Sequence, residues 1–98
     1  MLIFQIVIIG PFAEELFFRG FIYKLFRTKY NFLISAGFNS VCFALIHKIP
    51  QNIIPLFIIS MALCYIYDET ENILYPIIFH SFHNLLSLLL FFSLNINF

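Results

Sequence analysis

The stretch NILYPIIFHSFHNLLSLLLFFSLNINF, residues 72–98, runs for 27 residues without an Asp, Glu, Lys or Arg. A bilayer core is crossed by about 20 apolar residues of helix, so this run is a spanning candidate. Two others precede it: residues 30–47, with 18 uncharged positions, and 49–67, with 19. The whole chain agrees. Of its 98 residues, 62% are hydrophobic and 10% charged, against about 25% charged in an ordinary globular domain. Its mean hydropathy is +0.98. That excludes a soluble domain, and it excludes disorder, which needs low hydrophobicity and high net charge. Five basic and five acidic residues cancel, so nucleic acid is not an expected partner. Cys42 and Cys64 both lie inside apolar runs and imply neither a disulfide framework nor a thiolate metal site.

The expected fold is therefore all-α, a polytopic transmembrane bundle of about four helices in a single membrane domain spanning residues 1–98. The helices are expected near 11–27, 32–47, 54–67 and 73–94, with short loops at 28–31, 48–53 and 68–72. Gly10–Pro11 is expected to break the apolar N-terminal run, leaving proline in the first turn of the helix that follows. No basic residue precedes that run and no small-residue cleavage site follows it, so a cleaved signal peptide is not expected. The chain begins and ends in hydrophobic sequence, the pattern expected of a minimal unit or a piece of a larger membrane protein. Membrane lipid is its expected surroundings.

Polar residues at membrane depth are costly and functional by default. Three of them, Glu14, Glu15 and Arg19, fall in PFAEELFFRG, residues 11–20. At 100° per residue Arg19 lies about 40° around the helix from Glu15 but about 140° from Glu14. Arg19 is thus expected to neutralise Glu15 as an i,i+4 pair, leaving Glu14 free. His47 ends an otherwise uncharged helix; a histidine there caps the last carbonyls or serves chemistry. In the last helix His80, His83, Asn84 and Ser87 form a polar stripe facing the bundle interior or a water-filled cavity. Interhelical hydrogen bonding accounts for Ser87 and is open for His83.

Depth brings these residues together. Counted from the end holding the first loop, Glu14 lies near 20 Å, His47 near 22 Å, Asn84 near 16 Å and His80 near 10 Å, at about 1.5 Å per residue. A carboxylate, two imidazoles and an amide in a dry cavity suit water activation and oxyanion stabilisation. Glu14, His47 and His80 equally resemble a three-ligand open zinc site, so the cofactor is open between zinc and none.

The order Glu-Glu-x-x-x-Arg over Glu14–Arg19, Phe-x-x-x-His over Phe43–His47 and His-x-x-x-Asn over His80–Asn84 resembles the CPBP family of intramembrane proteases. These are the type II CAAX prenyl proteases and their bacterial relatives in bacteriocin processing and self-immunity. Phe-Arg-Gly after the first motif, and Asn-Ile-Leu-Tyr-Pro-Ile-Ile before the third, are similar too. The resemblance covers essentially the whole chain and implies an endopeptidase acting on membrane-associated or prenylated peptides. It implies a multi-pass protein, in the plasma membrane of a prokaryote. By position, Glu14 and His47 would activate the attacking water, His80 and Asn84 would steady the oxyanion, and Glu15 and Arg19 would support them from behind. The family is also described as metalloproteases, but an amide at Asn84 is a poor zinc ligand and a good donor. Two departures stand out: the resemblance implies further helices upstream of this segment, and Cys64 replaces a glycine often found before the third motif.

Two rival classes share these residues. A non-enzymatic bacteriocin self-immunity protein would keep them for binding, and a transporter fragment would use Glu and His as a proton relay. A transporter would also show duplicated halves or interrupted helices in register, and the sequence has neither.

Orientation follows from the loops. Lys24, Arg27 and Lys29 surround the first, Lys48 is in the second, and the third has Asp68, Glu69 and Glu71 with no base. If all four helices span, the first and third loops share the side that the positive-inside rule makes cytoplasmic. A Thr28→Cys probe, with Cys42 and Cys64 replaced, is expected to resist an impermeant maleimide on intact cells and to react after lysis. Labelling from outside would reverse the orientation.

Overall fold

The computed structural model describes residues 2–47 and 52–96, with side chains described to residue 93. Among the described residues there are four helical runs and no strand. The first is residues 2–27, the second Phe32–Ile46, the third Ile53–Thr70 and the fourth Leu74–Ile96. The third helix and the Leu74–Ser93 portion of the fourth are long and apolar enough to cross a membrane, and the second is a shorter apolar helix. The second loop, with Lys48, falls largely on residues 48–51, outside the described residues.

Gly10–Pro11 does not break the first helix. Two π-helical stretches, Gln5–Ile9 and Phe18–Tyr23, carry the chain continuously from residue 2 to residue 27. Proline breaks an α-helix because it lacks an N–H and its ring strikes the carbonyl four residues back. The wider π turn ahead of Pro11 accommodates that ring, and π turns are a known way of taking a proline into a helix.

The other boundaries are set by local caps. Asn31 starts the second helix by accepting a hydrogen bond from the Ile34 N–H at 2.9 Å, as an N-cap does. The third helix runs a turn past its expected end near residue 67. It stops at Glu71, which takes a left-handed conformation with φ 53° and ψ 30°. Asn72 Oδ1 then accepts from the Leu74 N–H at 3.0 Å and opens the fourth helix.

Small side chains let the second and third helices approach closely. Ser35, Ala36, Asn39, Ser40 and Ala44 on one face and Ser60 and Cys64 on the other are all buried. Close packing of small residues is the usual way helices associate in lipid. Cys64 is fully buried, and its sulfur accepts a hydrogen bond from Asn39 Nδ2 at 3.2 Å. Tyr23 from the first helix completes this core, with Phe32, Met61 and Tyr67 packed around it.

At the end holding the first and third loops, Tyr23 donates from its hydroxyl to Asp68 Oδ1 at 2.6 Å. Arg27 Nε donates to the same oxygen at 3.0 Å. These contacts join the first and third helices at that end of the bundle. Tyr23 is buried, so Asp68→Ala strands its hydroxyl and is expected to cost about 1–3 kcal/mol. Arg27 is 42% exposed, and Arg27→Ala is expected to cost less than Asp68→Ala. Thermal unfolding in detergent checks the order; a larger loss for Arg27→Ala would overturn it.

Candidate active site

Arg19 is fully buried in the second π stretch of the first helix. Its Nη1 donates to Glu15 Oε2 at 3.1 Å, one turn back on the same helix. Its Nη2 donates to the third helix, to the carbonyl of Ser60 at 3.0 Å and to the Ser60 hydroxyl at 2.6 Å. The guanidinium carbon lies 4.8 Å from the ring centroid of Phe43 on the second helix, within cation–π range. The expected Glu15–Arg19 pair is thus present, with partners on two further helices.

Glu15 is also fully buried, and its Oε2 carries a second contact. His80 Nδ1 on the fourth helix stands 2.7 Å from it. A carboxylate only accepts, so Nδ1 carries the proton of that bond. The other ring nitrogen, Nε2, lies 3.4 Å from Glu14 Oε1. His80 therefore sits between the two glutamates, and Glu14 is not isolated as the helical angles suggested.

The level of His80 corrects the depth count, which set it about 10 Å from Glu14 along the bundle. A Cβ placed on Gly20 would lie 3.8 Å from Ile73 Cδ1, so the fourth helix begins beside residue 20 rather than beside residue 27. Seven residues on, running the opposite way, His80 comes level with residues 13–14. Counting both helices from a common plane overlooks that stagger.

His47 caps the second helix and, through Nδ1, bonds the Phe43 carbonyl at 2.7 Å. A carbonyl only accepts, so Nδ1 donates, leaving Nε2 with the lone pair of the neutral ring. The capping role is therefore real, and it fixes the tautomer. Phe43 connects the histidines: its ring centroid is 4.7 Å from that of His47 and 6.0 Å from that of His80. Asn84 Nδ2 donates to the backbone carbonyl of Ile6 at 2.9 Å.

Glu14, His47, His80 and Asn84 line one groove of about 360 Å³, together with His83 and Ser87. Its remaining walls are apolar, with Leu56 and Ile59 from the third helix and Leu88 and Phe91 from the fourth. Glu15 and Arg19 lie behind it, fully buried. Among the described residues no three His, Cys, Asp or Glu side chains converge as metal ligands. Both His80 nitrogens already face carboxylates. Of the candidate set Glu14, His47 and His80, the His80 ring has Nδ1 committed to Glu15, and Nε2 is the ring nitrogen that faces Glu14.

Sequence reasoning missed Ser60, Asn39, the Glu15–His80 contact and the Ile6 carbonyl. Asn39 was within reach, since Ser35, Ala36, Asn39 and Ser40 mark a small and polar stripe at i,i+3/i+4 spacing on the second helix. Ser60 and a backbone carbonyl leave no comparable pattern.

Arg19→Ala is expected to destabilise the bundle by about 3–5 kcal/mol, because it leaves Glu15 buried without its counter-charge. Arg19→Lys is expected to recover only a minor part, since an ammonium does not span Glu15 and Ser60 as the guanidinium fork does. Thermal melts in detergent read both, and a wild-type melt for Arg19→Ala would contradict this account.

A family model described as type II CAAX prenyl endopeptidase Rce1-like matches residues 1–86. The chain is 38% identical over 80 residues to UPF0177 protein YxdF of Lactococcus lactis subsp. lactis (strain IL1403), covering 80% of this chain and 43% of that protein. It is 29% identical over 77 residues to a protein of Bacillus subtilis (strain 168) named provisionally as the membrane peptidase YdiL, covering 79% of this chain and 32% of that protein. The chain thus spans less than half the length of either relative. No solved structure matches it.

Proposed function

Because the chain belongs to the type II CAAX prenyl endopeptidase Rce1-like family, we propose that it carries the peptide-hydrolysing site of an intramembrane endopeptidase. Its substrates in this reading are membrane-associated or prenylated peptides, and its setting is a multi-pass protein of a prokaryotic plasma membrane. The observation that carries the reading is His80 held between Glu14 and Glu15, in one groove with His47 and Asn84.

In the proposed reaction a water in the groove attacks the scissile carbonyl carbon. Glu14, with the lone pair of His47 beside it, takes the proton from that water. The new C–O bond turns the carbonyl oxygen into an oxyanion, and donors from His80 and Asn84 stabilise it. Collapse of the intermediate breaks the C–N bond, and the proton passes from Glu14 to the leaving amine. Glu15 and Arg19 touch no reacting atom: Glu15 holds His80 through Nδ1, and Arg19 holds Glu15. The apolar walls at Leu56, Ile59, Leu88 and Phe91 suit a hydrophobic peptide or an attached lipid chain. No step requires a metal.

Glu14→Gln is nearly isosteric and is expected to abolish cleavage while leaving the melt in detergent unchanged. His47→Ala is expected to do nearly the same, and Asn84→Ala to lower turnover about 10²–10³-fold. The assay is cleavage of a farnesylated peptide by purified protein in liposomes, with and without a chelator. Chelation is expected to leave turnover unaltered. Wild-type cleavage by Glu14→Gln would refute water activation at this residue, and zinc-restorable loss on chelation would refute the metal-free mechanism.

A further inference from the structure

The N–H of Gly10 bonds the carbonyl of Gln5, five residues back, and so passes over the carbonyl of Ile6. In that π register the Ile6 carbonyl would look to the N–H of residue 11. Residue 11 is proline, which has none. The turn therefore leaves a carbonyl without a donor from its own helix, in surroundings where an unpaired backbone group is costly. Asn84 supplies the donor from the fourth helix, through Nδ2 at 2.9 Å. Gly10 belongs to the same arrangement. A Cβ there would stand 2.9 Å from the Gln5 oxygen, the acceptor of Gly10's own N–H, so only a residue without one lets the turn close in this way.

We propose that Gly10 and Pro11 are positioning residues for Asn84. By withholding a backbone donor from Ile6, they hold the Asn84 carboxamide in one orientation beside Glu14 and His80. A primary amide turns readily about its last torsion and presents either two N–H donors or a carbonyl oxygen. Facing an oxyanion, the first arrangement attracts and the second repels. Committing one N–H to Ile6 fixes the plane of the group and leaves the second N–H for the groove. This inference rests on the proposed role of Asn84 as an oxyanion donor.

Pro11→Ala restores the missing N–H. Whether the turn then keeps its π register or relaxes to α, Ile6 gains a donor from residue 11 or from residue 10. Alanine also favours a helix interior far more than proline, so the fold is expected to persist. A double-mutant cycle on thermal stability in detergent reads the effect without any substrate. Asn84→Ala is expected to lower the melting midpoint of the wild-type chain and to lose at least about half of that effect in the Pro11→Ala background. Equal losses in both backgrounds overturn the inference. The two side-chain amide protons of Asn84, observed by ¹⁵N-edited NMR, are expected to be well separated and slow to exchange in the wild type. They should draw together in Pro11→Ala, and unchanged resonances overturn the inference. With the farnesylated peptide in liposomes, Pro11→Ala is expected to lower kcat about tenfold with KM within about twofold. A wild-type kcat overturns the positioning role. Failure of the proteolysis reading is a separate result: the wild-type chain then leaves the farnesylated peptide uncleaved while the stability cycle still shows coupling.

Discussion

The buried guanidinium of Arg19 constrains everything around it. A charge at that depth is tolerated only with a counter-charge and hydrogen-bond partners; both Nη atoms have them, and all four helices meet around the group. Glu15 comes from the same helix, Phe43 from the second and Ser60 from the third. His80 arrives from the fourth through the shared Glu15 oxygen. Each contact fixes the rotation of one helix about its axis. Together they set the angle at which every groove residue is presented, without Arg19 entering the groove.

A second constraint acts along the helices. Tyr23, Arg27 and Asp68 pin the third helix to the loop end of the first, and the left-handed turn at Glu71 reverses the chain close by. That reversal returns the chain to the first helix near Gly20, well inside its loop end. The resulting stagger brings His80 level with Glu14 and Glu15. A chemical site near the middle of the bundle therefore depends on a polar clasp at its margin, through nothing more than the fixed rise per residue of the intervening helix.

The helices were legible because uncharged runs of bilayer length leave few alternatives; the caps Asn31 and Asn72 that start two of them emerged only from the structure. The pairing of Glu15 with Arg19 was legible from i,i+4 spacing alone. What escaped has one source: the sequence was read at 100° and 1.5 Å per residue from a common plane. That frame has no place for a π turn, so Gly10–Pro11 looked like a break. It has no place for stagger, so His80 was set at the wrong level and Glu14 seemed free. The roles proposed for Glu14, His47, His80 and Asn84 entered through resemblance, because spacing assigns a neighbour and not a reaction.

The π stretch over Phe18–Tyr23 has a consequence for the buried line it contains. In an α-helix a step of four residues overshoots a full turn by about 40°, so residues 15, 19 and 23 would spiral off a common face. A π turn takes more residues per revolution, so the overshoot shrinks across the stretch. Glu15, Arg19 and Tyr23 are accordingly all buried, at 0%, 0% and 1% exposure, along one line. The π stretch ahead of Pro11 applies the same geometry on the other side of the glutamates, turning the Ile6 carbonyl toward Asn84. The α-helical segment Gly10–Phe17 between them carries Glu14 and Glu15. The site thus depends on a helix whose winding changes twice: one change aligns the charge that is buried, and the other exposes the carbonyl that a distant amide must reach.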